Sequence, residues 1–365
     1  MNILVLATDY PRPDGYVSQY FIHTRNIEYV KRNINVSVIS FTATYDYILD
    51  GVKVYSYKTY LEKLFNSRFD LLISHAPNLR NHYKFLRKFE SRFNKIIFFF
   101  HGHEVLKSSK IYPKPYSYVK KSSFINKLSQ NAYDNLKLKV WKSFFEKNAS
   151  KTVFIFVSQW MYNMFLEFVK IDPSLIKGKT YIINNSIGNK FEQNVYDEKS
   201  KKEYDFITIR NLLDKSKYCV DVVCRIAETN PGYRFCIVGK GNYFSHRKKP
   251  NNLVFIDSHL KHDEVIEYLN KSRFALMPTR ADAQGVMACE IASIGMPLIT
   301  SNISVCREMF DDFENVIYIE NEKDIFLDSL NVENLGSKVI KPNNKFHSEN
   351  TVGKEITLFK KIVGE

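Results

Sequence analysis

The chain is short of several features that would fix its class at once. None of its apolar runs reaches the ~18 residues a membrane-spanning helix needs, so no transmembrane anchor is expected. Its five cysteines all lie from Cys219 onward without a C-x-x-C pair, which indicates neither a disulfide framework nor a zinc ribbon. The opening MNILVLATDYP has no charged leader and no small-residue cleavage site, and reads as a first β-strand. A cytoplasmic protein is the expectation. No internal repeat and no long low-complexity segment interrupts the chain.

What is present fits a globular protein with room for two domains: 365 residues, 44% hydrophobic and 25% charged. Phe and Tyr are abundant, 28 and 23, an excess that AT-rich codons alone can produce. The net charge of +14 is unevenly placed. Residues 1–190 hold 29 Lys and Arg against 13 Asp and Glu, and the remainder 24 against 26. All the positive excess therefore lies in the first half, which points to a polyanionic surface met by one domain only.

The hydrophobic pattern sets the fold class. NILVLATDY, VSVISF, DLLISH, KIIFFF, KTVFIF and KTYII are continuous apolar runs separated by helical stretches, as in a parallel sheet covered on both faces. A second series, YDFITIRN, YRFCIVGKG, NLVFID, RFALMPT and MPLITS, alternates with VDVVCRIAET and HDEVIEYLNKS. The polar stretch from Gly188 to Asp205 links the two. The expected fold is α/β, two Rossmann-like doubly wound domains facing a cleft, at 1–190 and 191–345. A final helix in 346–365 is expected to pack back on the first domain.

The richest stretch for chemistry is RADAQGVMACEIASIGMPLITSN, from Arg280 to Asn302. It reads as the exit of one strand, a loop with a single Gly285, a short helix beginning near Val286, and another strand. Loops at the carboxyl ends of strands hold ligands in such folds. A helix N-terminus offers free N–H groups and partial positive charge to a phosphate, and Gly285 leaves the backbone open to approach. Glu290, a turn inside, is acceptor-only and suited to ribose hydroxyls, and Asp282 to hydroxyls of a second group. Either carboxylate alone is more often a loop cap or a solvated position. Their joint placement on this loop and helix favours a site.

These residues resemble the signature of family 4 retaining glycosyltransferases of the GT-B fold. There a Glu, seven residues and a second Glu precede a Gly and a Pro at the offsets of Gly295 and Pro297; here Asp282 replaces the first Glu. FITIRNLLDKSKYCVD is similar to the family's strand, Arg, loop and Lys that hold the donor diphosphate. This nominates Arg210 and Lys217, with Lys215 in reserve. CIVGKGN resembles a strand followed by G-x-G, which implies Gly239 and Gly241 near the base. In YIINNSIG, Asn184, Ser186 and Gly188 stand where the family has Pro, Gly and Asp. YPRPDGYVSQYFI resembles the loop whose glycine, here Gly15, approaches the transferred sugar and phosphate. FFFHGHE places His101 where the family has a His facing the sugar. His103 reads equally as structural or catalytic, and the H-x-H pair is a weak metal signal.

The resemblance implies a hexosyltransferase using a nucleotide-diphosphate sugar, UDP most plainly, in capsule or lipopolysaccharide assembly. Catalysis falls to His101, Asp282, Arg210 and Lys217, and donor binding to Gly15, Gly239, Gly241, Gly285, Val286 and Glu290. No D-x-D pair occurs, and no metal or other cofactor is implied. Residues 107–151 hold eleven Lys against Asp134 and Glu146, interleaved with aromatics. Composition alone fits anionic lipid and single-stranded nucleic acid equally. The resemblance favours lipid: a peripheral protein on the inner membrane face, acting on a glycan or lipid-linked acceptor, with no nucleic acid. The rivals are an epimerase or phosphorylase of similar fold, and a non-catalytic polyanion-binding module.

Overall fold

A computed structural model describes residues 1–16, 18–119, 124–330 and 341–364, with the backbone alone for 124–127. It divides into two compact units: residues 1–108, 129–186 and 347–365, and residues 109–128 and 187–346.

The first unit holds strands β1 (Asn2–Ala7), β2 (Asn35–Ser40), β3 (Tyr47–Leu49), β4 (Val52–Ser56), β5 (Leu71–His75), β6 (Ile96–Phe100), β7 (Thr152–Phe156) and β8 (Thr180–Ile182). They form one sheet in the order β3-β4-β2-β1-β5-β6-β7-β8. All the pairings are parallel except β3 with β4. Ile3 to Ala7 and Ile96 to Phe100 are wholly buried, since crossover helices cover both faces and no alternation is called for. Each large side chain so buried contributes about 2–3 kcal/mol of transfer free energy. The β3–β4 hairpin turns on Asp50 and Gly51, with φ of 47° and 81°, the two-residue geometry that Asp-Gly favours.

The helix Val352–Val363 belongs to the first unit. Val352, Ile356, Leu358 and Phe359 join the cluster that holds Ile3, Val5 and Tyr29. Across this contact Arg25 Nε donates to Glu355 Oε1 at 2.9 Å, both side chains wholly buried, and the Tyr29 hydroxyl donates to the other carboxylate oxygen.

The second unit holds β9 (Tyr204–Leu212), β10 (Phe235–Lys240), β11 (Leu253–Ile256), β12 (Ser272–Leu276), β13 (Leu298–Ser301) and β14 (Val316–Ile319), an all-parallel sheet in the order β11-β10-β9-β12-β13-β14. Phe235, Phe206 and Phe274 are in register on three adjacent strands and stack with centroids 5.1 and 5.3 Å apart.

Residues 109–128 were expected in the first domain and fall in the second unit, because Tyr116 and Tyr118 pack on its core. The basic stretch is also less free than its composition implies. Lys137 is buried and donates to Asp134 and to the carbonyls of His103 and Leu106. Lys147 and Lys151 pair with Glu90, and Lys142 with Glu146. Lys120, Lys121 and the Lys127 side chain lie outside the described residues, as does Val17. Among the described residues no helix is long and apolar enough to cross a membrane.

Candidate functional site

In an open parallel sheet the ligand site lies beyond the carboxyl ends of the strands, where the order reverses and neighbouring loops diverge. In the second unit that point lies between β9 and β12. Arg210 is on β9, Lys217 in the loop after it, and Asp282 and Gly285 in the loop after β12. The topology therefore brings two separately nominated groups to one place.

The two loops are joined at Lys217. Its carbonyl accepts from Arg280 N at 2.9 Å and Thr279 Oγ1 at 3.1 Å, and Arg280 Nη1 donates to Ser216 O. Arg280 also grips Asp221 through both terminal nitrogens, at 2.9 and 2.7 Å. Burial works against the charge of Asp221, but its bonds from Arg280 and Tyr116 hold its pKa below the usual range. The Tyr218 ring joins the two nominated cations: Lys217 Nζ lies 4.8 Å and Arg210 Cζ 5.3 Å from its centroid. Arg210 is buried, donates from Nη2 to Pro278 O at 2.6 Å, and leaves Nε buried without a partner. Burial lowers its pKa, opposed by charges that include Asp282. A buried guanidinium with an unspent donor is suited to an anion. Lys215 is exposed, whereas Lys217 is half-buried.

The helix Val286–Ser293 starts from Gly285 in the left-handed region, at φ 74°. No side chain caps it, so the first amides, Val286 included, keep their partial charge for a ligand. Asp282 turns back on its own loop, accepting from Ala283 N at 2.8 Å. Glu290 is 5% exposed and accepts a bond from Gly188 N at 3.3 Å. Burial pushes its pKa up to about 8, against the lowering effect of that one bond. The carboxyl is thus short of donors, and ligand hydroxyls would supply them. Gly188 has no room for a side chain: a Cβ there would stand 2.9 Å from His262 Cε1.

Gly239 and Gly241 stand at the end of β10, where the register with β9 shifts, and their glycine requirement comes from positive φ, 155° and 146°, together with packing. A Cβ on Gly239 would lie 2.0 Å from the Arg210 carbonyl oxygen, and one on Gly241 2.8 Å from Asp214 Oδ2. Asp214 binds this turn by accepting from Asn242 N at 2.9 Å. The G-x-G thus supports the Arg210 strand and its loop.

In the first unit the order reverses between β1 and β5. Gly15 lies in the loop after β1 at φ +89° with open space around it. His75 ends β5 and His101 follows β6. His75 Nδ1 and His101 Nε2 are 3.1 Å apart, so one proton lies between them. Burial, and then the charge of Arg25, holds His101 well below the usual imidazole range. Burial likewise holds His75 well below that range, so both rings favour the neutral form. Glu104 accepts from the His101 and Gly102 amides at 3.1 and 2.6 Å, and His103 gives its carbonyl to Lys137.

Residues 190–331 match the family model of glycosyl transferases group 1. Among curated proteins, a glycogen synthase of Mycobacterium tuberculosis is 30% identical over 86 residues, 22% of this chain and 20% of its own. The O-antigen biosynthesis glycosyltransferase WclY of Escherichia coli is 28% identical over 109 residues, 28% of this chain and 30% of its own. The chain thus spans a fifth to under a third of the curated relatives it matches. Among solved structures, sucrose-phosphate synthase from Thermosynechococcus elongatus superposes with a TM-score of 0.69 at 12% identity, covering 100% of this chain and 99% of that one. WaaG, described as a glycosyltransferase involved in lipopolysaccharide biosynthesis, gives 0.58 at 12% identity, covering 92% and 90%. The fold is the two-domain parallel-sheet fold of GT-B glycosyltransferases.

Within the residues that match the family model, sequence reasoning missed Tyr218, Asp221, Thr279 and Arg280. Arg280 stands in the stretch singled out, yet its partner Asp221 is 59 residues away, and no spacing rule joins them. His75 was missed too, since a histidine closing a buried strand carries no signal of its own.

Proposed function

We propose that the chain is a retaining glycosyltransferase that moves a hexose from a UDP-sugar to a lipid-linked or surface-polysaccharide acceptor, as in capsule or lipopolysaccharide assembly. One observation carries the reading: Arg210, Lys217, an uncapped helix start and the donor-poor Glu290 occupy neighbouring loops and one helix at the switch point of the second sheet.

In this reading Arg210 and Lys217, with the amides at Gly285 and Val286, bind the diphosphate. Glu290 accepts from the ribose hydroxyls, and Asp282 from hydroxyls of the sugar. As the bond between anomeric carbon and phosphate oxygen breaks, negative charge grows on the leaving phosphate, where fixed cations and amides stabilise it most. The sugar becomes oxocarbenium-like, the acceptor oxygen bonds to the same face, and its proton passes to the departing phosphate. The cations and helix start neutralise the diphosphate, so the reading calls for no metal. His101, neutral, and Gly15 are assigned to the transferred sugar.

The acceptor class is supported by the names of WclY and WaaG and by the basic first half. We place the protein on the cytoplasmic face of an anionic membrane through that half, with no nucleic-acid partner. The test is transfer of labelled sugar from UDP donors to lipid-linked glycans in anionic vesicles, with the product's anomeric configuration read by NMR. Retained configuration supports the reading. An inverted product sinks the retaining mechanism, and transfer that is indifferent to anionic lipid sinks the membrane assignment.

A further inference from the structure

Residues 112–118 leave the first half of the chain and fasten to the loops of the proposed donor site, all within the second unit. Tyr118 donates to Asp214 Oδ1 at 2.6 Å, and its ring stacks on His246 at 4.4 Å. Tyr116 donates to Asp221 Oδ1 at 2.8 Å. Ser216 Oγ donates to Lys114 O at 2.7 Å, and Arg247 to Ser117 Oγ at 3.0 Å. Tyr112 lies beside the Lys217 ammonium, 5.7 Å from ring centroid to Nζ, on top of its contact with Tyr218.

The contacts to Asp214, Asp221, Ser216 and Lys217 meet Lys217 itself or the residues that fix its loop. Asp214 ties that loop to the G-x-G turn. Asp221 holds Arg280, whose amide fixes the Lys217 carbonyl. Ser216 precedes Lys217 directly. A free lysine explores many rotamers, and two aromatic rings beside its ammonium limit that freedom before the ligand arrives. The geometry points to Tyr112, Tyr116 and Tyr118 as positioning residues that set the Lys217 ammonium for the diphosphate of the donor, an inference that rests on the donor-site reading above.

The test is a double-mutant cycle read with two probes, inorganic pyrophosphate and UDP, with uridine as the control ligand. Tyr112→Leu should weaken pyrophosphate and UDP about two- to fivefold, the scale of one cation–π contact, and leave uridine unchanged. In a Lys217→Met background the same substitution should have no further effect on either probe. Tyr116→Phe and Tyr118→Phe, which keep ring and packing, should behave as Tyr112→Leu does, with melting temperatures reported beside each. Equal weakening of UDP and uridine means general loosening of the unit and overturns the inference. So does a Tyr112→Leu effect that persists without Lys217, or no effect in a protein whose pyrophosphate binding does depend on Lys217. If wild type binds neither probe, or binds both equally well as Lys217→Met, the donor-site reading itself fails and the inference falls with it.

Discussion

The pH dependence of nucleotide binding should be governed by Glu290. In the free protein its carboxyl is 5% exposed, has a single 3.3 Å bond from Gly188 N, and titrates at about 8. Ribose hydroxyls donate best to the ionised form, so binding must displace the proton. At pH 6 about one site in a hundred is ionised against about half at pH 8, so the UDP dissociation constant should rise about fiftyfold between pH 8 and pH 6, or about 2 kcal/mol. Binding at pH 6.5 should release about one proton, seen by calorimetry in buffers of different ionisation enthalpy. His262, across Gly188, is held below its usual value by burial. Protonation of UDP itself affects every variant alike, so the difference from Glu290→Gln isolates the carboxyl; that variant should lose most of the slope and the proton release. The same group gives a stability signature of definite sign. Its folded pKa lies above the unfolded value, so its protonated form favours the fold below pH 4.5 and that advantage is lost as pH rises through 8. The loss is on the order of 5 kcal/mol. Glu290→Gln should therefore gain melting temperature relative to wild type at pH 9 and not at pH 4.5. A flat UDP affinity from pH 6 to 9, with no proton released, would refute the assignment of Glu290 to the ligand.

Three other outcomes follow from the packing. Arg210→Met should cost about two orders of magnitude in UDP affinity while leaving the melting temperature nearly unchanged, because the guanidinium is buried with one bond and an unpartnered Nε; unaltered binding would remove Arg210 from the site. Gly239→Ala should destabilise by about 3 kcal/mol or more, since its Cβ would overlap the Arg210 carbonyl at 2.0 Å. Gly285→Ala should cost only about 1–2 kcal/mol of left-handed strain, as its nearest neighbour is 3.8 Å away, and denaturant unfolding of the pair checks the contrast. Glu355→Ala should cost about 3–5 kcal/mol by stranding the buried Arg25, and Glu355→Ala with Arg25→Met should recover much of it.

The strands that position the site were legible because continuous apolar runs such as Ile96–Phe100 admit few other readings. Three short strands were not read. β3 and β4 are joined by Asp50-Gly51, a hairpin signal that was present and overlooked, and β14 is only partly buried. The loop-and-helix logic of Asp282, Gly285 and Glu290 was visible because it is local. The weakened acidity of Glu290 was not, since it comes from burial by distant segments, opposed by the bond from Gly188, 102 residues away in sequence. Gly239 and Gly241 were nominated as lying near the base; that Arg210 and Asp214 exclude a side chain there follows from the β9–β10 pairing, which no local motif records. Residues 109–128 looked like part of a basic surface because composition records lysines, whereas the tyrosines decide where the segment packs.

The measurement that bears most directly on the central claim is binding and slow hydrolysis across UDP-, GDP- and ADP-sugars without added metal, read by thermal shift and product release. The account predicts a shift and hydrolysis with a UDP-sugar, abolished in Glu290→Ala and Arg210→Met. Silence across the panel, with UDP itself failing to bind, would contradict it and favour a non-catalytic polyanion-binding role.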